Sequence, residues 1–328
     1  MTPGVEEISG APEVVTCGEA MLLLLAEPGV PLARARRFTG SVAGAESNVA
    51  IGLARLGHSV RWIGSVGADP AGDTVLSTMR AEGVDTSRVT VHPTAPTGLL
   101  LRDSHATRGI DVQYHRAGSA ASTLAPESVH APLSSGTRLL HLTGITAMLS
   151  DSTHRLTRYL IDAARDRGVM ISFDPNVRHK LGTPDRWRAV VGPLLTRADL
   201  VLAGADELEL LTGQDAERAV HTLRDGGVDG VVVKYPDKSA VLTNAAGTRT
   251  QPAFPVSVTD PVGAGDAFAA GLLSALLRGV PPGRALAEAA TVAALVVQST
   301  TDIDGLPTPA QRDRAFAHLV DHAESVHR

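Results

Sequence analysis

The chain has 328 residues, 43 % hydrophobic and 20 % charged, with a formal net charge of −5. That length buries roughly three quarters of the unfolded surface in a globular core, without disulfides or a structural metal. The acidic balance excludes a general nucleic-acid binder, and no run approaches the ~18 apolar residues of a membrane span, so neither partner is expected.

Residues 1–12 are acidic, carry Pro and Gly, and lack the regions of a signal peptide, so they read as a flexible tail. A single domain is expected over 13–325. Val14–Cys17 reads as its first strand. Cys17 is the only cysteine, which excludes an internal disulfide and fits a reducing, cytoplasmic setting. Strands follow at Val60–Ser65, Leu139–Thr143, Val169–Asp174, Leu200–Ala203 and Gly230–Lys234. Several are continuously apolar, as strands buried on both faces are. Helical patterns lie between them at Asn48–Leu56, Gly72–Glu82, Thr153–Arg167, Arg186–Thr196, Asp206–Leu211 and Glu217–Asp225. Gly57, Gly83, Gly168 and Gly227 sit where C-cap glycines belong. The alternation implies an α/β fold, a mostly parallel sheet flanked by helices in three layers. Two stretches, 21–39 and 97–122, break the rhythm and read as a small β-sheet lid, with Gly98–Arg102 and Ile110–Arg116 paired across Asp103–Gly109. Ala267–Ser299 is mostly helical. The 12 histidines show no metal-ligand spacing.

The most informative segment is Asp260-Pro261-Val262-Gly263-Ala264-Gly265-Asp266-Ala267-Phe268. Its glycines permit a sharp turn and close backbone approach to a ligand. The helix that follows aims unpaired N–H groups at that ligand, which suits an anion such as a transferring phosphoryl group. Asp266 stands at the same helix start. Taken alone it is as readily an N-cap. Beside an anion cradle it becomes a candidate base for an alcohol, and a carboxylate at a helix N-terminus is expected to be ionised at neutral pH.

This segment resembles the signature of the ribokinase-like (PfkB-type) carbohydrate kinases, Asp-Thr-x-Gly-Ala-Gly-Asp-x-Phe, with Pro261 at the Thr position. The resemblance implies that Asp266 is the catalytic base and that amides from Gly263, Ala264 and Gly265 form the anion hole. Gly44-Ala45-Glu46-Ser47-Asn48, before Leu53-Ala54-Arg55-Leu56-Gly57, reads by itself as a helix start with Ser47 or Asn48 as a simple N-cap; it also resembles the family's second signature, which implies that Gly44 and Asn48 touch the sugar. Within the family, three segments are similar to 2-keto-3-deoxygluconate kinases. They are Gly18-Glu19-Ala20-Met21, Tyr114-His115-Arg116-Ala117-Gly118-Ser119, and Asp174-Pro175-Asn176-Val177-Arg178.

A guanidinium clamps a carboxylate with two parallel hydrogen bonds. Arg116, with Tyr114 beside it, is expected on a sugar-acid substrate or else in a surface salt bridge, and Arg178 on that carboxylate, on a nucleotide phosphate or in a surface salt bridge. Asp302 matches a family segment near the sugar. Asn176, Lys234, Gly263 and Gly265 are expected on the nucleotide, with Lys234 equally readable as a solvated strand end. Glu207 could hold Mg²⁺ through water or lie on a solvated helix face. Pro236 and Gly204 depart from the family's Lys-x-Gly and Asn-x-x-Glu patterns.

These features imply ATP and Mg²⁺ as cofactors, with a monovalent cation as a further candidate, and a homo-oligomer joined through the lid. The expected reaction is phosphorylation of a terminal hydroxyl of 2-keto-3-deoxygluconate. A fructokinase or other neutral-sugar kinase, and a non-catalytic sugar or nucleotide sensor, are the alternatives.

Overall fold

The computed structural model describes residues 11–103 and 109–326, with side chains to residue 320. The strands are β1 (Val14–Cys17), β2 (Met21–Ala26), β3 (Phe38–Ala43), β4 (Val60–Ile63), β5 (Ser65–Gly67), β6 (Thr90–His92), β7 (Leu99–Arg102), β8 (Val112–His115), β9 (Leu139–Thr143), β10 (Met170–Asp174), β11 (Leu200–Gly204), β12 (Gly230–Lys234), β13 (Ala240–Asn244) and β14 (Gly247–Gln251). The helices are α1 (Ala45–Arg55), α2 (Pro70–Ala81), α3 (Gly144–Leu149), α4 (Asp151–Arg165), α5 (Pro184–Leu195), α6 (Ala205–Thr212), α7 (Ala216–Asp225), α8 (Ala264–Leu277), α9 (Pro282–Val296) and α10 (Pro309–Val326).

Eight strands form the central sheet in the order β14-β13-β12-β11-β10-β9-β1-β4. Side chains alternate along each strand, so the sheet sorts its apolar residues into two cores. Val14, Leu139, Leu200 and Val232 pack with α1, α2, α8 and α9. Val15, Leu140, Val201 and Val231 pack with α4, α5, α6 and α7. That is why these strands read as continuous apolar runs. The six strands expected from the sequence are its parallel members; β13 and β14 add an antiparallel edge. The parallel register brings Asp174 beside Thr143 and Gly204 beside Lys234, which lines up polar groups at the carboxyl ends of the strands. In open α/β sheets ligands bind at those ends.

β3, β2, β7 and β8 form a separate four-stranded sheet around Met21, Leu23, Leu25, Ala43 and Leu100. It covers the two stretches read as a lid, and β3 runs on to Ala43. The turn between β7 and β8 at 104–108, and the tail up to residue 10, lie outside the described residues. Among the described residues, no helix is long and apolar enough to cross a membrane.

The structure corrects several boundaries. The expected strand Val60–Ser65 breaks at Gly64, against which the Trp62 ring folds; a Cβ there would lie 2.1 Å from that ring. Its continuation, β5, pairs with β6 instead. α1 begins at Ala45, capped by Gly44 and not by Ser47 or Asn48, so Asn48 falls inside the first turn. α2 starts at Pro70, because the Asp69 side chain accepts the Gly72 amide at 2.8 Å and proline suits the first helical position. The four C-cap glycines all adopt positive φ, from 63° to 98°.

Candidate active site

The turn before α8 is built by a buried charge cluster that sequence reasoning missed. Arg102, at the end of β7, is 1 % exposed. It donates to Asp260 at 2.5 Å and to Asp302 at 2.7 Å. Asp260 also accepts the Val262 amide at 2.9 Å and so shapes the turn. Burial works against the Arg102 charge, but Asp302 and Asp260 outweigh it and raise its pKa. The available signal was a lone arginine after three leucines in a lid strand.

Gly263 adopts φ 84°, the left-handed region that favours glycine. Its α-carbon lies against the Asp302 backbone, which a Cβ would approach to 3.0 Å. Asp302 thus supports the turn through Arg102 and through this contact. At Gly265 a Cβ would have only the Lys234 ammonium within 4.0 Å, so the cradle is open on that side. Ala264 opens the helix, and the amides of its first turn have no acceptor within it.

Asp266 lies in that first turn, and its Oδ2 accepts from Asn48 Nδ2 at 2.8 Å. Burial pushes its carboxyl up to about 7; the Asn48 bond and the Arg178 charge oppose this, while Asp174 and Asp302 add to it. The expectation of full ionisation at neutral pH is therefore corrected: burial outweighs the Asn48 bond and the Arg178 charge. Asn48, expected on the sugar, instead holds Asp266, while its own Oδ1 is buried with no partner.

Asp174 and Lys234 meet at the strand ends, with Nζ to Oδ2 at 3.0 Å. Burial opposes the Lys234 charge, but Asp174 and Glu207 outweigh it and raise its pKa, so it is a paired cation and not a solvated strand end. Asp174 also accepts the Asn176 amide at 2.9 Å, holding Asn176 at φ 45°. Glu207 accepts the Val177 amide at 2.6 Å and the Gly204 amide at 2.7 Å. It is therefore not a solvated helix face. Burial, then the nearby Asp174 charge, raises its pKa. These two carboxylates fix the loop that carries Arg178. Arg178 is exposed and has no ion pair within 4 Å among the described residues.

At the lid, Arg116 pairs with Glu19, which also accepts from Ser119 at 2.7 Å, and lies 5.4 Å from the Tyr114 ring centroid. Glu19 is 1 % exposed, so the guanidinium expected to be available to a ligand is already neutralised. Gly44 passes so close to the Glu19 carbonyl that a Cβ would lie 2.2 Å from it. Glu46 is buried and accepts from Thr143 and Thr146, both at 2.6 Å, tying α1 to the end of β9. Cys17 is buried in the core below.

One cleft of about 480 Å³ takes in every residue singled out from the sequence except Ala264, together with Glu19, Arg102 and Asp174. Helix-start amides, a carboxylate of near-neutral pKa, two further carboxylates beside a lysine, and an arginine without an ion pair among the described residues face the same space. This arrangement can position an alcohol beside a phosphoryl group.

Residues 11–309 match the description "pfkB family carbohydrate kinase". The chain is 37 % identical over 309 residues to 2-dehydro-3-deoxygluconokinase of Bacillus subtilis (strain 168), covering 90 % of this chain and 93 % of that one. It is 34 % identical to the 2-dehydro-3-deoxygluconokinase of Thermoproteus tenax, covering 96 % and 98 %. A maize fructokinase is more distant, 27 % identical over 82 % of this chain and 84 % of its own. The crystal structure of a PfkB protein from Polaromonas sp. JS666 superposes with a TM-score of 0.84 at 40 % identity, covering 92 % of this chain and 99 % of that one. The match over residues 11–309, with relatives 37 % and 34 % identical along nearly their whole length, places the chain in the pfkB family of carbohydrate kinases.

Proposed function

We propose that the chain phosphorylates a terminal hydroxyl of 2-keto-3-deoxygluconate, the same compound as 2-dehydro-3-deoxygluconate, using Mg·ATP, to give the 6-phosphate. The observation that carries this reading is that Asp266 and the Gly263–Gly265 turn share one cleft with Arg178, a cation without an ion pair among the described residues. A neutral sugar has no use for that cation, and a carboxylate has.

Asp266 orients the substrate hydroxyl and takes its proton as the oxygen–phosphorus bond forms and the bond to the ADP oxygen breaks. Amides of Gly263, Ala264 and Gly265 bind the charge on the transferring group, with Lys234 beside Gly265. Asp174, buried, and Glu207, half-buried, both next to Lys234, fit a magnesium ion held through water, which would supply charge neutralisation at the phosphates. Asn48 keeps Asp266 aimed. Arg178 takes the substrate carboxylate, with Tyr114 and Arg116 closing the lid side and Gly44 and Asp302 shaping the sugar pocket. Asn176 lies toward the nucleotide. The edge strands β3 and β8 of the lid sheet offer a homodimer contact, which light scattering checks; potassium dependence of the rate checks a monovalent cation.

The deciding experiment is a coupled ADP-release assay over a panel of sugar acids and neutral sugars. Turnover of 2-keto-3-deoxygluconate well above that of fructose is expected. A preference for fructose makes this a neutral-sugar kinase, and no turnover of any sugar makes it a sensor.

A further inference from the structure

A second cavity of about 810 Å³ adjoins the cleft, between β8, the end of α3 and the start of α5. Val112, Tyr114, Arg116 and Arg178 line both spaces. The second cavity has arginines and a lysine in its lining and no aspartate or glutamate. Arg116 is neutralised by Glu19. Arg178, Lys180 and Arg186 have no carboxylate within 4 Å among the described residues. Lys180 donates to the Val112 carbonyl at 2.6 Å and lies 5.9 Å from the Tyr114 ring centroid, so it is fixed to the lid while keeping its charge. The Arg186 stem packs over Gly182 beside Met148, where a Cβ would meet Arg186 Cδ at 3.2 Å.

Three uncompensated cations in one concavity create a positive local potential that concentrates anions. The cavity has this basic lining although the chain as a whole carries a net charge of −5. Arg178 lines both this cavity and the site.

We propose that the cavity is an antechamber for the acid substrate, in which Lys180 and Arg186 gather and retain the carboxylate before it reaches Arg178. They are then specificity-determining residues for small sugar acids. This rests on the sugar-acid reading above.

The test compares wild type with the Lys180→Ala/Arg186→Ala double variant, using 2-keto-3-deoxygluconate and fructose as substrates. At about 10 mM salt, where the Debye length is ~30 Å, KM for the acid is expected to rise about three- to tenfold with kcat unchanged, the scale of two partly exposed charges. KM for fructose is expected to stay put. At about 1 M salt, with a Debye length of ~3 Å, the difference is expected to close. The charge-keeping Lys180→Arg/Arg186→Lys variant is expected to behave as wild type. Parallel rises for both substrates, a loss that salt does not abolish, or no change in KM overturns the proposal. Calorimetric titration with inorganic phosphate separates the two readings: weaker binding to the double variant supports an anion site even if no sugar acid is turned over. Equal binding to both proteins rejects the site itself.

Discussion

Beside the Gly263 turn, Arg102 is 1 % exposed and shared between two carboxylates; in the same cleft, Arg178 is exposed and has none within 4 Å among the described residues. Arg116, between them, is paired with a buried glutamate. Three arginines therefore hold three different positions. Arg102 is scaffold: its charge is consumed in fixing Asp260 and Asp302, and through them the Gly263 turn. Arg178 keeps its charge for something that arrives. Beside the Gly263 turn the arginine is buried between two carboxylates, and elsewhere in the same cleft an exposed arginine has no carboxylate within 4 Å among the described residues. A guanidinium in a motif thus reports its residue type, while its role depends on which carboxylates the fold brings to it.

The contrast can be broken in several ways. The largest effect is expected for Asp266→Asn, which removes the proton acceptor while preserving shape. A fall in kcat of about 10²–10⁴ is expected, with calorimetric affinity for ATP and sugar nearly intact. Near-wild-type turnover removes Asp266 from the chemistry. Next is Arg102→Ala, which strands Asp260 and Asp302 in a buried site. A loss on the order of 3–5 kcal/mol in denaturant unfolding is expected, accompanied by lost activity toward acid and neutral sugar alike. Selective loss with the acid would make Arg102 a substrate ligand.

Smaller and more selective is Arg178→Ala. A drop of about 10- to 150-fold in kcat/KM is expected for 2-keto-3-deoxygluconate, the scale of ~1.5–3 kcal/mol for hydrogen bonds to a charged group. Fructose turnover is expected to change far less. Arg116→Ala is the control: it leaves Glu19 unpaired and is expected to lower thermal stability and impair both substrates. If Arg116→Ala is the acid-selective variant, the two arginines exchange roles.

The smallest effect concerns pH. Asp266 is raised to about 7 by burial. As a base it must be deprotonated, so kcat/KM is expected to be full above that pH and to fall about tenfold per unit below it. Asn48 donates to the ionised form, so Asn48→Leu is expected to move the acid limb upward, read from the pH profile of kcat/KM. A shift in the opposite direction would show that Asn48 does not stabilise the carboxylate.

The turn before α8 was legible because its logic is local: Gly263 and Gly265 supply backbone freedom and Asp266 stands at the helix start. The parallel strands were legible because burial on both faces leaves a continuous apolar run. The clamp was not, since Arg102 lies 158 residues from Asp260 and 200 from Asp302. Nothing in a strand ending Leu-Leu-Leu-Arg says which carboxylates will meet it. The Glu19–Arg116 pair was hidden for the same reason, although both residues lay in segments already singled out. β13 and β14 were missed because edge strands carry mixed polarity; β14 is exposed along most of its length. The pKa of Asp266 is a property of packing, which no local pattern encodes.

The Asn48–Asp266 bond spans 218 residues of sequence and the Arg102–Asp302 pair spans 200. Contacts between such distant points form only after much intervening chain has condensed. Regained enzymatic turnover is therefore a clock for the last step of assembly. After dilution from denaturant, far-ultraviolet ellipticity is expected to recover first and catalysis later, since local helices and neighbouring strands need none of these closures.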